Sequence, residues 1–243
     1  MALTIKKTAA NFAPAPVGLH HAVCIRIIDL GTQKSSYGGK TKLQRKVMFG
    51  WEISNPELRQ ENGMPFAVFK RYTASLGDKA TLAADINGWL GKAPEADALD
   101  LTQFLGKACA VNIIHKPSKK DPSKVYAEPK SVSPPMAGIT IPEPITKPAA
   151  FDLDTPDWAL FHDFSEYTQN LIRRSPEYAA LDLPDGLPEP LTEEPPKVEM
   201  AVDDKLFATI ISNIDNGITT AEQVLNMSYN LNEVQRLEIE NRL

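Results

Sequence analysis

Between residues 17 and 132 the chain repeats one pattern five times, and that repetition narrows what it can fold into. Over residues 17–29, Val17, Leu19, Val23, Ile25 and Ile27 share one parity, with His20, Ala22, Cys24 and Arg26 on the other. A period of two with β-branched residues predicts a half-buried strand. Residues 33–40, rich in Ser and Gly, read as a hairpin loop. A second strand follows over 41–53, with Leu43, Val47, Phe49, Trp51 and Ile53 on one face and Lys42, Gln44, Lys46 and Met48 on the other; Arg45 breaks the pattern. Asn55-Pro56 and Glu61-Asn62-Gly63 mark a turn before a third strand over 65–73. Two more strands fall at 105–115 and 124–132, joined by a basic turn. The one helical stretch lies between strands three and four. Leu82, Ile86, Trp89 and Leu90 recur at helical spacing, Ser75 and Asp78 offer a capping pair, and Gly91 ends it.

Three strands, a helix and two strands in about 115 residues is the order of an OB-fold, a five-stranded Greek-key barrel. The expected fold class is therefore mainly β. It has a tail at 1–16, an OB-fold-like barrel at 17–133 with one helix between strands 3 and 4, and appendages beyond. Twelve of the 20 prolines fall between 131 and 200, which predicts stiff linkers at 134–150 and 184–202, the second acidic and disordered. Between them, 151–183 reads as an amphipathic helix. Thr155-Pro156 starts it, and Trp158, Phe161, Phe164, Tyr167, Leu171 and Ile172 form the stripe. Residues 203–243 read as a small helical region.

Charge divides the chain along the same line. Residues 1–130 hold 19 Lys+Arg against 11 Asp+Glu, a net of +8, and residues 131–243 hold 7 against 20, a net of −13. A basic half followed by an acidic arm suggests a polyanion binder whose arm contacts partners or competes for the binding surface.

Several chemistries lack their residues. Gly38-Gly39-Lys40-Thr41 resembles the end of a phosphate-binding loop but has neither its first glycine nor the following helix. Cys24 and Cys109 are too few for a disulfide scaffold, and His20, His21 and His162 form no zinc spacing with them. Nucleophile-elbow and zinc-protease motifs do not occur. No metal, no cofactor and no enzymatic activity are expected. No apolar run approaches the roughly 18 residues of a membrane span, and Lys6 and Lys7 precede no apolar signal core. A soluble, cytoplasmic protein without membrane contact is expected.

What does stand out is the interleaving of basic and aromatic residues on the expected barrel. Phe69-Lys70-Arg71-Tyr72 lies on strand three, Lys42 and Lys46 on strand two, and Arg26 on strand one. Lys34, Tyr37 and Lys40 lie at the first hairpin, and Lys116, Lys119 and Lys120 at the last. Single-stranded nucleic acid needs cations along its phosphates and flat rings under its bases. Phe49 and Trp51 share the core parity and are assigned to the core, as is Trp89. Phe69 and Tyr72 point to opposite faces, so one of them at most is a stacking platform.

The segments Trp51-Glu52-Ile53, Phe69 to Leu76, Lys79-Ala80-Thr81-Leu82, Trp89-Leu90-Gly91-Lys92 and Ile172 to Tyr178 resemble phage and prophage OB-fold proteins of the single-stranded-DNA-binding type. The resemblance spans roughly residues 17–180 and rests on short motifs. It implies sequence-independent binding of single-stranded DNA in phage replication, recombination or repair, on Phe69 to Tyr72 and the neighbouring basic residues. Bacterial proteins of this type end in an acidic, apolar tip, whereas this chain ends in Glu238-Ile239-Glu240-Asn241-Arg242-Leu243 inside a helical pattern. Replication or recombination proteins are expected partners through 155–174 and 203–243. The competing expectation is a protein-interaction module, with the barrel as scaffold and those helices as the binding elements.

Overall fold

One strand of 20 residues organises everything around it. In this computed structural model, β1 (Gly18–Tyr37) pairs antiparallel with β2 (Lys40–Ile53), from Ala22↔Ile53 to Tyr37↔Lys40. Residues 13–37, 40–92, 99–117, 125–191, 200–217, 219–225 and 229–242 are described. β2 pairs in turn with β3 (Ala67–Thr73), while the first part of β1 pairs on its other edge with β4 (Ala108–Pro117), which continues to β5 (Val125–Ser133). At Cys24 the β4 edge turns away, with Cys24 N–H donating to the Lys107 carbonyl at 3.1 Å and the Cys24 carbonyl accepting from Gly106 N–H at 2.9 Å. The freed edge of β1 is then taken by β6 (Ala149–Phe151) in parallel, from Arg26↔Ala149 to Ile28↔Phe151.

The result is an open six-stranded sheet of order β3-β2-β1-β4-β5, with β6 on β1, and not the closed five-stranded barrel predicted. β3 and β5 share no ladder among the described residues. Pro129 on β5 has no N–H to give, which suits an edge strand. The two edges are instead spanned by Lys70, whose Nζ donates to the Lys130 carbonyl at 3.0 Å, and by the helix α1 (Thr81–Leu90). α1 approaches β5 at Gly88, where an added Cβ would lie 2.7 Å from the Val132 carbonyl oxygen.

Register shifts at Cys24/Arg26 and Asp29/Thr32 decide which side chains are buried. Ala22 and Cys24 face a first core, and after the shift Ile27 does, while Ile28 and Leu30 face a second core on the opposite side. Val17 and Leu19, expected on the core parity, lie before either shift and are 58% and 56% exposed. The first core holds Phe49, Trp51, Tyr72, Trp89 and Phe104 in mutual ring contact.

Residues 149–191 build the second core. Three short helices stand where one long one is predicted: α2 (Trp158–His162), α3 (Glu166–Arg173) and α4 (Pro176–Ala179). Asp157, Ser165 and Ser175 each accept the N–H three residues on, so each starts a new helix and breaks the continuous stripe. Phe151, Phe161, Ile172 and Tyr178 close over Ile28, Leu30 and Met48. Glu177 accepts from Thr32 N–H at 2.8 Å and from its hydroxyl at 2.5 Å. Gly31, at φ +65°, allows this approach, because a Cβ there would fall 2.4 Å from the Ser175 Cβ. The proline-rich stretch after residue 183 is ordered at least to Leu191. Leu187 packs on the second core, Tyr178 donates to the Pro188 carbonyl at 2.7 Å, and Leu191 N–H donates to Arg173.

Residues 192–243 form a separate unit. It contains α5 (Asp204–Asp215), α6 (Ala221–Leu225), α7 (Glu233–Glu240) and a two-residue parallel pairing of β7 (Met200–Ala201) with β8 (Tyr229–Asn230). Ile210, Ala221, Val224 and Ile239 make its core, and a reciprocal Asn232–Gln235 capping box opens α7. No helix among the described residues is long and apolar enough to cross a membrane.

Candidate nucleic-acid interface

The outer face of β2 and β3 carries the candidate site. Because Trp51 and Ile53 point inward, Gly50 and Glu52 point outward, and two features follow. Across the ladder from Gly50 stands Phe69, whose ring lies over the glycine: an added Cβ would meet Phe69 Cε1 at 2.4 Å. A ring that covers a cross-strand glycine is held against the sheet and offers its far side to solvent. Phe69 is 44% exposed.

Glu52, by contrast, is buried, and its carboxylate accepts from Ile145 N–H at 2.7 Å and Thr146 N–H at 2.9 Å. These bonds fasten the proline-rich stretch to the sheet and replace the water its charge would otherwise need. Arg26 completes the fastening, with one guanidinium nitrogen donating to the Lys147 carbonyl at 2.6 Å and the Ile25 carbonyl at 2.8 Å. Burial lowers the Arg26 pKa, and the charges of Asp163 and Glu52 work against that.

Between β3, β5 and the 146–168 region lies a groove of about 1060 Å³. Ile25, Ile28, Met48 and Ala67 give it an apolar floor. Phe69 from β3, Tyr126 from β5 and Tyr167 from α3 bring three exposed rings to it, the two tyrosines at 45% and 59% exposure. The Arg71 guanidinium sits 5.7 Å from the centroid of the Tyr167 ring. Among the described residues Arg71 has no acidic partner within ion-pair distance. Lys46 lies close enough to feel it. Its pKa is lowered by burial first and by the Arg71 charge second, while Nζ donates to Thr73 Oγ1 at 2.7 Å and Gln44 Oε1 at 3.0 Å. Arg71 thus lines the groove as a cation against an exposed ring, with Lys46 outside the lining on the neighbouring strand.

The remaining predicted residues fare differently. Tyr72 is buried in the first core and donates to Asp85 at 2.7 Å; burial, followed by the Asp85 charge, pushes its phenol far above the usual range. Lys70 pairs with the same carboxylate oxygen at 2.6 Å and is nearly buried. Tyr72 does not line the groove, and Lys70 lines it only with its ammonium held by Asp85. Lys116 pairs with Glu128 at 2.7 Å. Lys34 and Lys42 are exposed on the β1–β2 hairpin. Tyr37 and Lys40 end that hairpin by pairing with each other, and their side chains lie outside the described set. Lys119 and Lys120 lie outside the described residues altogether.

Sequence reasoning missed Gly50, Tyr126 and Tyr167. Alternation pointed to Tyr126, since Ala127 packs on the first core and its neighbour must face away. Tyr167 was hidden inside the single stripe that Ser165 interrupts. The other stripe residues expected to reach partners, Phe161, Leu171 and Ile172, are buried in the second core. Both cysteines are buried free thiols, and burial pushes Cys24 up to about 12. No His, Cys, Asp and Glu group among the described residues is placed to hold a metal ion. No protein-family model matches the sequence, and neither does any curated protein.

Proposed function

We propose that the chain binds single-stranded DNA along the Phe69 groove with little sequence preference, serving phage DNA replication, recombination or repair. The observation that carries this reading is the Phe69 ring held over Gly50, sharing a groove with Tyr126, Tyr167 and the cation Arg71. Rings accept any base on their flat faces, and the cations meet the phosphates between them. In this reading the strand order β3-β2-β1-β4-β5 is an OB-type sheet left open at β3 and β5. Its ligand face is then the β2–β3 surface where the groove lies. The apolar floor suits bases and gives nothing to phosphate, so the backbone runs along the rim and toward the lysines of the β1–β2 hairpin. The acidic C-terminal arm serves partner contacts or competes with DNA.

The test is fluorescence anisotropy of a labelled oligo-dT titrated with the full chain across a salt series. Binding at low salt should weaken steeply as salt rises, because each phosphate contact releases counterions. A signal that stays flat at low salt, or an affinity indifferent to salt, removes the proposal.

A further inference from the structure

We propose that the C-terminal unit carries a docking groove for a partner's amphipathic helix bearing Lys or Arg beside an apolar stripe. This stands independently of the DNA reading and rests on a different part of the chain. The groove, about 520 Å³, runs along α5. Phe207 and Ile211, one turn apart and half-buried, form its floor, while Ala208 and Ser212 are small, exposed and leave it open. Ile210 is buried in the unit's own core, and Phe207 and Ile211 pack against that core on one side while lining the groove on the other.

Acids frame the apolar floor. Asp204 stands in the first turn of α5, Asp215 in the last, and Glu238 reaches in from α7. Arg242 serves both Asp215, at 3.0 Å, and Glu238, at 3.6 Å. Asp204 has no cation within ion-pair distance among the described residues. Residues 200–242 carry seven Asp+Glu and three Lys+Arg, a net of −4. Such a surface repels nucleic acid and repels a second copy of itself. A helix that lays residues at i and i+4 on Phe207 and Ile211 and turns a cation to Asp204 satisfies both the floor and the one acid of the rim that Arg242 does not reach. The 12-residue α5 is long enough for about three turns of such a helix.

The probe is a dye-labelled peptide of about 18 Leu and Lys residues at amphipathic helical spacing, titrated with the full chain by anisotropy. A peptide of the same composition, shuffled to destroy the stripe, is run beside it. The striped peptide should bind at least about tenfold more tightly than the shuffled one. Ala208→Arg places a good helix former at an exposed position and fills the groove, so binding should fall by about tenfold while the circular dichroism spectrum stays unchanged. Asp204→Asn should weaken binding about two- to fivefold at low salt and not at high salt. Equal binding of the two peptides, or no effect of Ala208→Arg, overturns the proposal. So does sedimentation as a dimer that Ala208→Arg dissociates, since the occupant is then a second copy.

Discussion

The two faces of β3 carry the same chemistry to opposite ends. Inward, Lys70 and Tyr72 converge on one oxygen of Asp85, so a cation and a ring tie the strand to α1 and are lost to the surface. Outward, Phe69 and Arg71 offer the same pair of residue types to an open groove, with Gly50 beneath one and Tyr167 beside the other. The difference shows that a basic–aromatic run in a strand is two sites, and that the packing behind the strand decides which of them is free. Inner pairs should therefore control stability, and outer pairs affinity.

The largest effect expected is on the inner face. Tyr72→Ala empties a buried aromatic site and should lower unfolding free energy by about 3–5 kcal/mol, read by urea denaturation. Asp85→Ala leaves Lys70 largely buried without its counter-charge and Tyr72 without its acceptor, for a loss of about 2–4 kcal/mol in the same assay. A small stability change in either variant, combined with a large loss of DNA binding, breaks the comparison by moving the inner pair to the interface.

On the outer face, Phe69→Ala should weaken oligo-dT binding by about 1–3 kcal/mol, roughly 5- to 150-fold, with little change in stability. Gly50→Ala should give a loss of similar size although alanine touches no ligand, because its Cβ displaces the Phe69 ring. Wild-type affinity in Gly50→Ala shows that the ring's position over the glycine is immaterial. Arg71→Gln is smaller. It should lower the slope of log affinity against log salt by about 0.7, one phosphate contact on a single strand. The smallest effect is expected from ending the chain at Leu191, past the residues bonded into the first unit. If the acidic arm competes, affinity should rise about two- to threefold at low salt and not at high salt. An unchanged affinity leaves the arm to partner contacts.

Much of this arrangement was legible before folding. Alternation and turn residues located β2 to β5, α1 and the first half of β1, while residues 33–37, read as a hairpin loop, extend β1 in ladder with β2; parity separated Phe69 from Tyr72 and assigned Phe49 and Trp51 to the core. These are local properties, set by side-chain period and backbone preference over a few residues. The register shift at Cys24 was not legible, since nothing in the alternation of residues 17–29 announces where a bulge turns the pattern over. Nor was the second core: the stripe of residues 158–172 reads as a surface for partners, whereas in the fold Phe161 and Ile172 close over Ile28 and Met48. The groove depends on that closure, because Tyr167 reaches it only from a segment folded back across more than a hundred residues of chain. The sequence by itself determined the strands, the helix between them, the charge division and the residue types a polyanion site needs. Tertiary structure alone decided that the sheet stays open and that residues 149–191 close over Ile28, Leu30 and Met48 on its outer face. It also decided which cations remain free, because burial and pairing are settled between residues far apart in the chain.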